Sequence, residues 1–467
     1  MPLHPDRLLP ADPATRAIAR ELYRAVADLP IVSPHGHTDP RWWGENPAFA
    51  NPAELFVIPD HYVLRMLVSQ GIAYEALGIG EGAQADPRTI WRTFAANYHL
   101  FQGTPSRLWI DHSLEAVFGL EQRLSPSNAD AYYDAIAEKL AQPEYRPRAL
   151  YDRFRIEVIA TTDSALDDLR YHQMAKDSGW TGRVLPTYRP DAVIDPETDG
   201  FEDNLDRLGE ITGCDTGTWQ GYLDAHRSRR AFFKSMGATA TDHGHPTPQT
   251  ANLGAEDASR LFDRVRRGKA SAEDAERFRA QMLTEMARMS VEDGLVMQLH
   301  PGSFRSHSPH VLKHYGRDRG FDIPVPVSFT VALKPLLDVV GMDPRMRLIL
   351  FTLDEATYAR ELAPLAGAYP ALRLGPPWWF QDSFEGIRRF RERATETAGF
   401  MNTVGFNDDT RALCSIPARH DVSRRTDAAF LADLVTSHRL DEAEAHELAP
   451  RLAGDLARDG YRLNAPA

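Results

Sequence analysis

The sequence has little cysteine, no long apolar run and no basic tract, and each deficit excludes a class of protein. Cys214 and Cys414 are the only cysteines among 467 residues, too few and too far apart for a disulfide framework. No run of about 18 uncharged apolar residues occurs, so no membrane-spanning helix is expected. The net charge is −13 at pH 7, which argues against nucleic acid as a partner.

The remaining composition is typical of a large globular protein. Hydrophobic residues make up 43% of the chain and charged residues 25%, enough to bury a core without cross-links. The first 20 residues contain no apolar segment of the kind found in signal peptides, so we expect a cytoplasmic protein. Assembly into a homo-oligomer is left open by the sequence.

Short β-rich runs separated by helical stretches predict an α/β fold with a parallel sheet. Near-continuous apolar runs of this kind are typical of strands buried on both faces, and eight in series favour a closed (β/α)8 TIM barrel over an open sheet. The last two of these runs, 372–374 and 403–406, are the weakest strand predictions. The runs are 31–33, 156–160, 183–187, 237–241, 295–299, 348–351, 372–374 and 403–406.

The long connection after the first run predicts a distorted barrel. Roughly 120 residues separate the first two runs, more than one crossover helix needs. We therefore predict a helical insertion over about 45–150, with a helix at 129–140 whose N-cap is Ser127 or Asn128. Residues 195–230 and 256–288 also have helical patterns, and about 426–461 predicts two amphipathic helices that separate near Leu440. The whole chain, 1–467, is expected to form one domain.

Two His-x-His pairs, His35/His37 and His243/His245, follow predicted strands. Chance alone gives about 0.6 such pairs in this composition. The number of pairs is therefore not evidence for a metal site, but their position at the ends of predicted strands is. Residues i and i+2 of an extended strand face the same way, so both imidazoles of a pair can point into the barrel mouth. With a carboxylate, such a pair suits zinc or manganese. The alternative is two histidines that satisfy loop backbone groups.

Asp409, after the eighth run, is the candidate third ligand, and its second oxygen could act as a base. A helix N-cap is the alternative for Asp409, and the adjacent Asp408 competes for either position. His300, at the end of the fifth run, is a ligand, a hydrogen-bond donor to a ligand, or a structural histidine.

Arginine and aromatic residues also follow predicted strands. Arg189 and Arg411 together would bind a carboxylate bidentately, although either alone would suit a structural ion pair. His61-Tyr62 could move protons or could simply pack, and Trp378-Trp379 could stack on a ligand or belong to the core. An acidic protein with two arginines and a metal at one rim favours an anionic substrate.

These residues resemble the amidohydrolase superfamily and, within it, the uronate isomerases, also called glucuronate isomerases. The resemblance covers essentially the whole chain, and its order of motifs is more specific than a lone His-x-His. The motifs are Ser33-Pro34-His35-Gly36-His37, Pro186-Thr187-Tyr188-Arg189-Pro190-Asp191, Asp242-His243, Pro376-Pro377-Trp378-Trp379-Phe380, Asp409-Thr410-Arg411 and Arg419-His420.

The resemblance implies one divalent metal ion, usually zinc, held by His35, His37 and Asp409. It also implies that Arg189 and Arg411 bind the carboxylate of a hexuronate. The lysine that bridges two metals in other members of the superfamily is missing, because the fourth run ends in Thr241-Asp242.

The implied reaction is aldose–ketose isomerisation through an enediol, converting D-glucuronate to D-fructuronate and D-galacturonate to D-tagaturonate. Asp409 and Tyr62 would transfer protons, with His61 and Asp242 in supporting roles. His300, Trp378 and Trp379 would lie against the substrate. A metal-dependent hydrolase of the same superfamily and a barrel that binds without turnover are the alternatives.

Overall fold

A computed structural model describes residues 3–463 of the chain. The predicted single domain also includes residues 1–2 and 464–467, which lie outside the described residues. The strands are β1 (Ile31–Ser33), β2 (Ile156–Ala160), β3 (Asp163–Ser164), β4 (Val184–Leu185), β5 (Tyr188–Arg189), β6 (Ala240–His243), β7 (Val296–Leu299), β8 (Ser303–Phe304), β9 (Ile323–Pro324), β10 (Leu348–Leu350) and β11 (Leu372–Leu374).

Parallel pairing in chain order builds a distorted (β/α)8 barrel. One ladder runs β1-β2-β4 and another runs β3-β5-β6-β7-β10-β11. The two ladders are continuous, because alternate N–H groups of residues 159–165 donate to alternate carbonyls of residues 183–189. Leu374 pairs with Thr403 in an isolated parallel bridge, and the His37 N–H donates to the Thr410 carbonyl at 3.1 Å. These contacts bring the eighth segment between β11 and β1.

Two of the predicted strands are shorter than expected. The third run is interrupted after Leu185, because the Thr187 N–H donates to the Asp163 carboxylate at 3.2 Å rather than to a backbone carbonyl. Pairing resumes at Tyr188. The eighth run is reduced to the bridge at Thr403, and Gly405, two residues later, has φ = 72°, outside the extended range that a strand requires. The antiparallel pair β8-β9 is an addition that the pattern did not indicate.

Helices cover the outside of the barrel and fill the long connections. They are α1 (Pro13–Val26), α2 (Pro40–Glu45), α3 (Pro52–Phe56), α4 (His61–Ser69), α5 (Pro87–Ala96), α6 (Pro105–His112), α7 (Ala129–Leu140), α8 (Pro147–Arg153), α9 (Arg170–Asp177), α10 (Asp191–Ile194), α11 (Phe201–Thr212), α12 (Trp219–Ser235), α13 (Ala255–Arg266), α14 (Ala272–Asp293), α15 (Pro309–Tyr315), α16 (Lys334–Val340), α17 (Ala363–Ala368), α18 (Phe384–Ala398), α19 (Ile416–Thr436), α20 (Glu442–Pro450) and α21 (Leu456–Gly460). π-Helical turns occupy Ser113–Val117, Tyr358–Leu362 and Arg451–Asp455.

The helical predictions agree with the structure to different degrees. α7 has the bounds that the sequence predicts, and Asn128 is its N-cap, although the Asn128 side chain makes no capping hydrogen bond. The break near Leu440 is present between α19 and α20. However, α19 begins at Ile416 rather than near 426 and is buried on nearly all sides, because it packs against α1, α18 and α20 at once. An amphipathic pattern is typical of a helix with one solvent-exposed face. α19 has no such face.

The barrel interior is filled by the inward side chains of successive strands and closed by the last helix. Tyr461 is fully buried, and its hydroxyl donates to Gln298 Oε1 at 2.9 Å. No helix within residues 3–463 is long and apolar enough to cross a membrane. The interior apolar cluster contains Val32, Val158, Leu185, Ala240, Val296, Ile349, Phe351, Leu353, Trp378, Trp379, Val404, Ala457, Tyr461 and Leu463.

Candidate active site and metal centre

A cavity of about 290 Å³ opens at the carboxyl ends of the strands, where (β/α)8 barrels place their reactive groups. All eleven residues to which the resemblance assigns a role line it, whereas His243 and His245 of the second His-x-His pair do not. The lining residues are His35, His37, Pro59, Asp60, His61, Tyr62, Thr162, Arg189, Asp242, His300, Arg305, Asp318, Trp378, Trp379, Asp409, Thr410, Arg411, Ala412 and Arg419.

His35, His37 and Asp409 meet on one wall of the cavity. Asp409 Oδ1 lies 3.4 Å from His35 Nε2 and 3.2 Å from His37 Nε2. The three candidate ligand atoms lie within 4.8 Å of one another. Two imidazole nitrogens and one carboxylate oxygen are a donor set that suits zinc and neighbouring divalent ions and leaves a position open for a further ligand. These residues therefore fit one metal ion.

The adjacent carboxylates of Asp408 and Asp409 point to different places. Asp409 has φ = 41°, in the left-handed region that aspartate tolerates better than most residues. Its carboxylate faces the histidine pair, whereas Asp408 Oδ2 accepts from His420 Nε2 at 3.1 Å on the other side of the chain. Asp409 rather than Asp408 therefore belongs to the candidate metal group.

The environment of Asp409 keeps its carboxylate ionised. Burial by itself would raise the pKa of Asp409, but the charge of His35 and the hydrogen bonds from His35 and His37 outweigh it. The result is a pKa well below the ordinary value of 3.8. An anionic oxygen beside two imidazoles is what a divalent cation requires.

His300 lies in a buried chain of hydrogen bonds. Its Nδ1 is 2.7 Å from Asp242 Oδ1, and Arg189 Nη1 donates to Asp242 Oδ2 at 2.9 Å. Burial would raise the pKa of Asp242, but His300 and Arg189 hold it well below 3.8. The His300 ring stacks on His35, with 4.6 Å between centroids, and its Nε2 has no hydrogen-bond partner within residues 3–463. This fixes the ring and leaves one nitrogen available to a ligand.

The two predicted arginines line the cavity and form ion pairs at the same time. Arg189 Nε donates to Asp191 Oδ2 at 2.8 Å, in addition to its bond to Asp242. Arg411 Nη2 donates to Asp318 Oδ2 at 3.0 Å, and its side chain is 39% exposed. The ion pairs hold both guanidinium groups in place, while their cavity-facing surfaces can still receive an anion.

Tyr62 is fixed by an ion pair beneath the cavity. Its hydroxyl lies 3.1 Å and 3.2 Å from the two oxygens of Asp382, and Arg419 Nη1 donates to Asp382 Oδ2 at 2.5 Å. The Arg419 guanidinium stacks on Trp109, 3.6 Å from the ring centroid. Burial, and then the Asp382 charge, raise the pKa of Tyr62 well above 10, so its hydroxyl carries a proton at neutral pH.

His61 and the tryptophan pair form a further part of the cavity wall. Asp60 caps the N-terminus of α4, with its side chain accepting from the Tyr62 N–H at 2.8 Å, and so places His61 and Tyr62 at the cavity. Trp379 Nε1 donates to His61 Nε2 at 2.6 Å. Burial lowers the pKa of His61 to about 3, which keeps the ring neutral and able to accept. Trp378 and Trp379 stack 5.9 Å apart and belong both to the core and to the cavity wall.

Comparison with known proteins shows similarity over nearly the whole chain. A sequence model of the glucuronate isomerase family matches residues 13–457. The chain is 63% identical to the uronate isomerase of Rhizobium meliloti (strain 1021) over 465 residues, 99% of each chain. The crystal structure of glucuronate isomerase from Caulobacter crescentus superposes with a TM-score of 0.98 at 54% identity, covering 100% of this chain and 98% of that one. The chain belongs to the glucuronate isomerase family.

Family membership confirms the predicted activity and fold. The uronate isomerase of Thermotoga maritima superposes with a TM-score of 0.92 at 27% identity, over 99% of this chain and 100% of that chain. The reaction is the isomerisation of uronates, and the hydrolase alternative is not supported. As a glucuronate isomerase family member, the chain is an enzyme rather than a barrel that only binds. The roles of its individual residues stay predictions.

Two cavity residues, Arg305 and Asp318, and the Asp382 carboxylate that holds Tyr62 were missed from the sequence. Asp382 follows Trp379 by three residues. Its place in the loop after the predicted tryptophan pair is the sequence signal that could have indicated it. Arg305 lies 5.3 Å from the Trp379 ring, and with Asp318 it comes from the segment around β8 and β9. That segment has no strand periodicity, so nothing in the pattern places it over the barrel mouth.

Proposed function

We propose that this cavity interconverts D-glucuronate with D-fructuronate and D-galacturonate with D-tagaturonate, using one divalent cation. The observation that supports this most directly is the meeting of His35, His37 and Asp409 on one wall of a cavity that arginines also line. A hexuronate offers a carboxylate, a carbonyl and several hydroxyls. The cavity offers a complementary group for each.

The proposed ligands of the cation, zinc or manganese, are His35, His37 and Asp409. When bound, the ion supplies Lewis acidity and orients oxygen atoms of the open-chain substrate. Asp409 Oδ1 is the oxygen nearest both imidazoles, which leaves Oδ2 for a second task. His300, fixed by Asp242, would direct its Nε2 at a substrate oxygen.

Arg189 and Arg411 would bind the substrate carboxylate. Guanidinium groups match a carboxylate with two parallel hydrogen bonds. Because Asp242 and Asp318 already hold the two arginines, little side-chain freedom is lost when the substrate arrives. The stacked Trp378 and Trp379 rings, which also line the cavity, would exclude water from the sugar chain.

Isomerisation needs two proton transfers, and we assign each of them to a different residue of the cavity. A base must take the proton from C2 and return it to C1, and we assign this to Asp409 Oδ2. A second group must move a proton between O1 and O2, and we assign this to the Tyr62 hydroxyl. Asp382 accepts from that hydroxyl, and neutral His61 lies next to it.

Proton NMR of the metal-loaded enzyme with D-glucuronate or D-galacturonate in deuterated water tests the reaction directly. We expect ketose signals to grow at the expense of aldose signals, with deuterium entering wherever the Asp409 carboxyl exchanges with solvent between transfers. The proposal fails if neither uronate is converted, or if the aldose is oxidised or hydrolysed instead.

We also propose that the enzyme works in the reducing cytoplasm. Cys214 and Cys414 are both free thiols, and burial raises the pKa of Cys414 to about 12, so its thiol is unreactive. Self-association stays a prediction, which sedimentation of the purified chain would test.

A further inference from the structure

The second His-x-His pair, His243/His245, lies outside the cavity described above. β6 ends at His243, and side chains alternate along a strand. Asp242 therefore points into the barrel mouth, whereas His243 points outward toward the helical layer. Asp191, the first residue of α10, lies next to both histidines.

The three side chains form a compact buried cluster. Their candidate ligand atoms lie within 4.8 Å of one another. His243 is fully buried and His245 is 3% exposed. Their rings are 5.9 Å apart at 74°, so the two imidazoles do not stack on each other.

Three of the four imidazole nitrogens in this cluster have no hydrogen-bond partner within residues 3–463. They are both nitrogens of His245 and Nδ1 of His243, while His243 Nε2 lies 3.2 Å from Thr241 Oγ1. Buried polar groups in folded proteins are nearly always satisfied. Two unsatisfied imidazoles next to a carboxylate therefore point to a bound species that accepts nitrogen ligands.

The charge state of the cluster suits a cation. Asp191 accepts from Arg189 Nε at 2.8 Å and from the Gly244 N–H at 3.1 Å, so its carboxylate is ionised. An anionic oxygen beside two buried imidazoles is an arrangement that a divalent cation can bind.

We propose that Asp191, His243 and His245 bind a second divalent cation, of the borderline-soft class to which zinc belongs, on the outer side of β6. Two imidazoles and one carboxylate are a donor set that these ions prefer. This site is separate from the group at His35, His37 and Asp409.

The second cation would hold the inner site in shape through Asp191. This carboxylate orients Arg189, which lines the substrate cavity. The packing is tight: a Cβ added at Gly244 would lie 2.0 Å from Arg189 Nη2 and 2.9 Å from Asp191 Oδ2. Glycine at this position allows the carboxylate, the guanidinium and the backbone to approach one another.

Counting the metal in the full chain tests the site without relying on activity. The protein is stripped with a chelator, reloaded with excess Zn²⁺, desalted and measured by mass spectrometry. We expect about two zinc ions per wild-type chain and about one in the double variant His243→Gln, His245→Gln. His37→Ala should also hold about one, which separates this site from the inner one.

The matched control is His172→Gln, because His172 is another buried histidine but belongs to neither cluster. It should keep the wild-type zinc count. The proposal is overturned if the double variant binds as much zinc as the wild type.

If the double variant does not fold, zinc-edge anomalous scattering from wild-type crystals decides instead. A peak about 2.0–2.2 Å from the Asp191, His243 and His245 ligand atoms supports the site. A map with a peak only at His35 and His37 overturns it.

Discussion

Replacing Asp382 with asparagine should remove the group that holds Tyr62 without changing the shape of the site. Asp382 lies between two partners: it accepts from Arg419 at 2.5 Å and from the Tyr62 hydroxyl at 3.1 Å. Asparagine keeps the volume of the side chain but loses its charge. Its amide has one oxygen to accept hydrogen bonds where the carboxylate has two. Two effects follow, one on stability and one on turnover.

The stability effect comes from Arg419, whose charge is left buried without its counter-ion. Breaking a buried ion pair costs about 3–5 kcal/mol. Arg419 keeps the Asp408 carbonyl at 3.2 Å and the face of Trp109, so we expect the lower end, about 3 kcal/mol. The turnover effect comes from a misplaced hydroxyl, and we expect kcat to fall about 10²-fold with a small change in KM.

The matched control is Asp427→Asn, which breaks a similar buried pair away from the cavity. Asp427 binds Arg391 at 2.7 Å and 3.0 Å, and that arginine keeps the Gly405 carbonyl at 3.4 Å. Denaturant unfolding should show similar losses in both variants, whereas steady-state isomerisation should show the kcat loss in Asp382→Asn alone. Equal kcat values in the two folded variants would refute the positioning role.

Three further results are expected. Asp409→Asn should lower kcat at least about 10²-fold at saturating metal, and a loss under about tenfold in folded, metal-loaded protein would remove Asp409 from the role of base. Arg411→Met should raise KM for uronates at least about tenfold, measured by initial rates, and an unchanged KM would assign Arg411 to the Asp318 ion pair alone. Burial lowers the pKa of His226 to about 3. Below about pH 6.5, His226 is therefore protonated in the unfolded chain but stays neutral in the folded chain. The unfolding free energy should therefore fall by up to about 1.4 kcal/mol per pH unit from this group between pH 6.5 and 3; a His226→Gln variant with the wild-type pH slope would contradict this.

Local chemistry explains which parts of the fold were visible in the sequence. Runs such as 156–160 are strands because buried β-branched residues stand between helical stretches, and α7 has the predicted bounds because its apolar spacing is regular. The eighth run contains Gly405 and pairs only through Thr403. The sequence pattern therefore predicted more strand than backbone pairing allows.

The candidate site was likewise predictable from the sequence only in part. The eleven residues to which the resemblance assigns a role all line one cavity, because the strands of a barrel are parallel and their carboxyl ends share one rim. The choice between Asp408 and Asp409 depended on a single positive φ. The roles of the two arginines also needed the structure, since each forms an ion pair and lines the cavity.

The sequence alone determined the order of the barrel strands and the chemical types of the groups at their ends. Both follow from short-range patterns of burial and polarity along the chain. Only the tertiary structure decided which carboxylate faces the histidines, that Asp382, 320 residues along the chain, supports Tyr62 together with Arg419, and that His243 points away from the barrel mouth. These are relations between distant segments, and the packing of loops and helices sets them rather than any local preference.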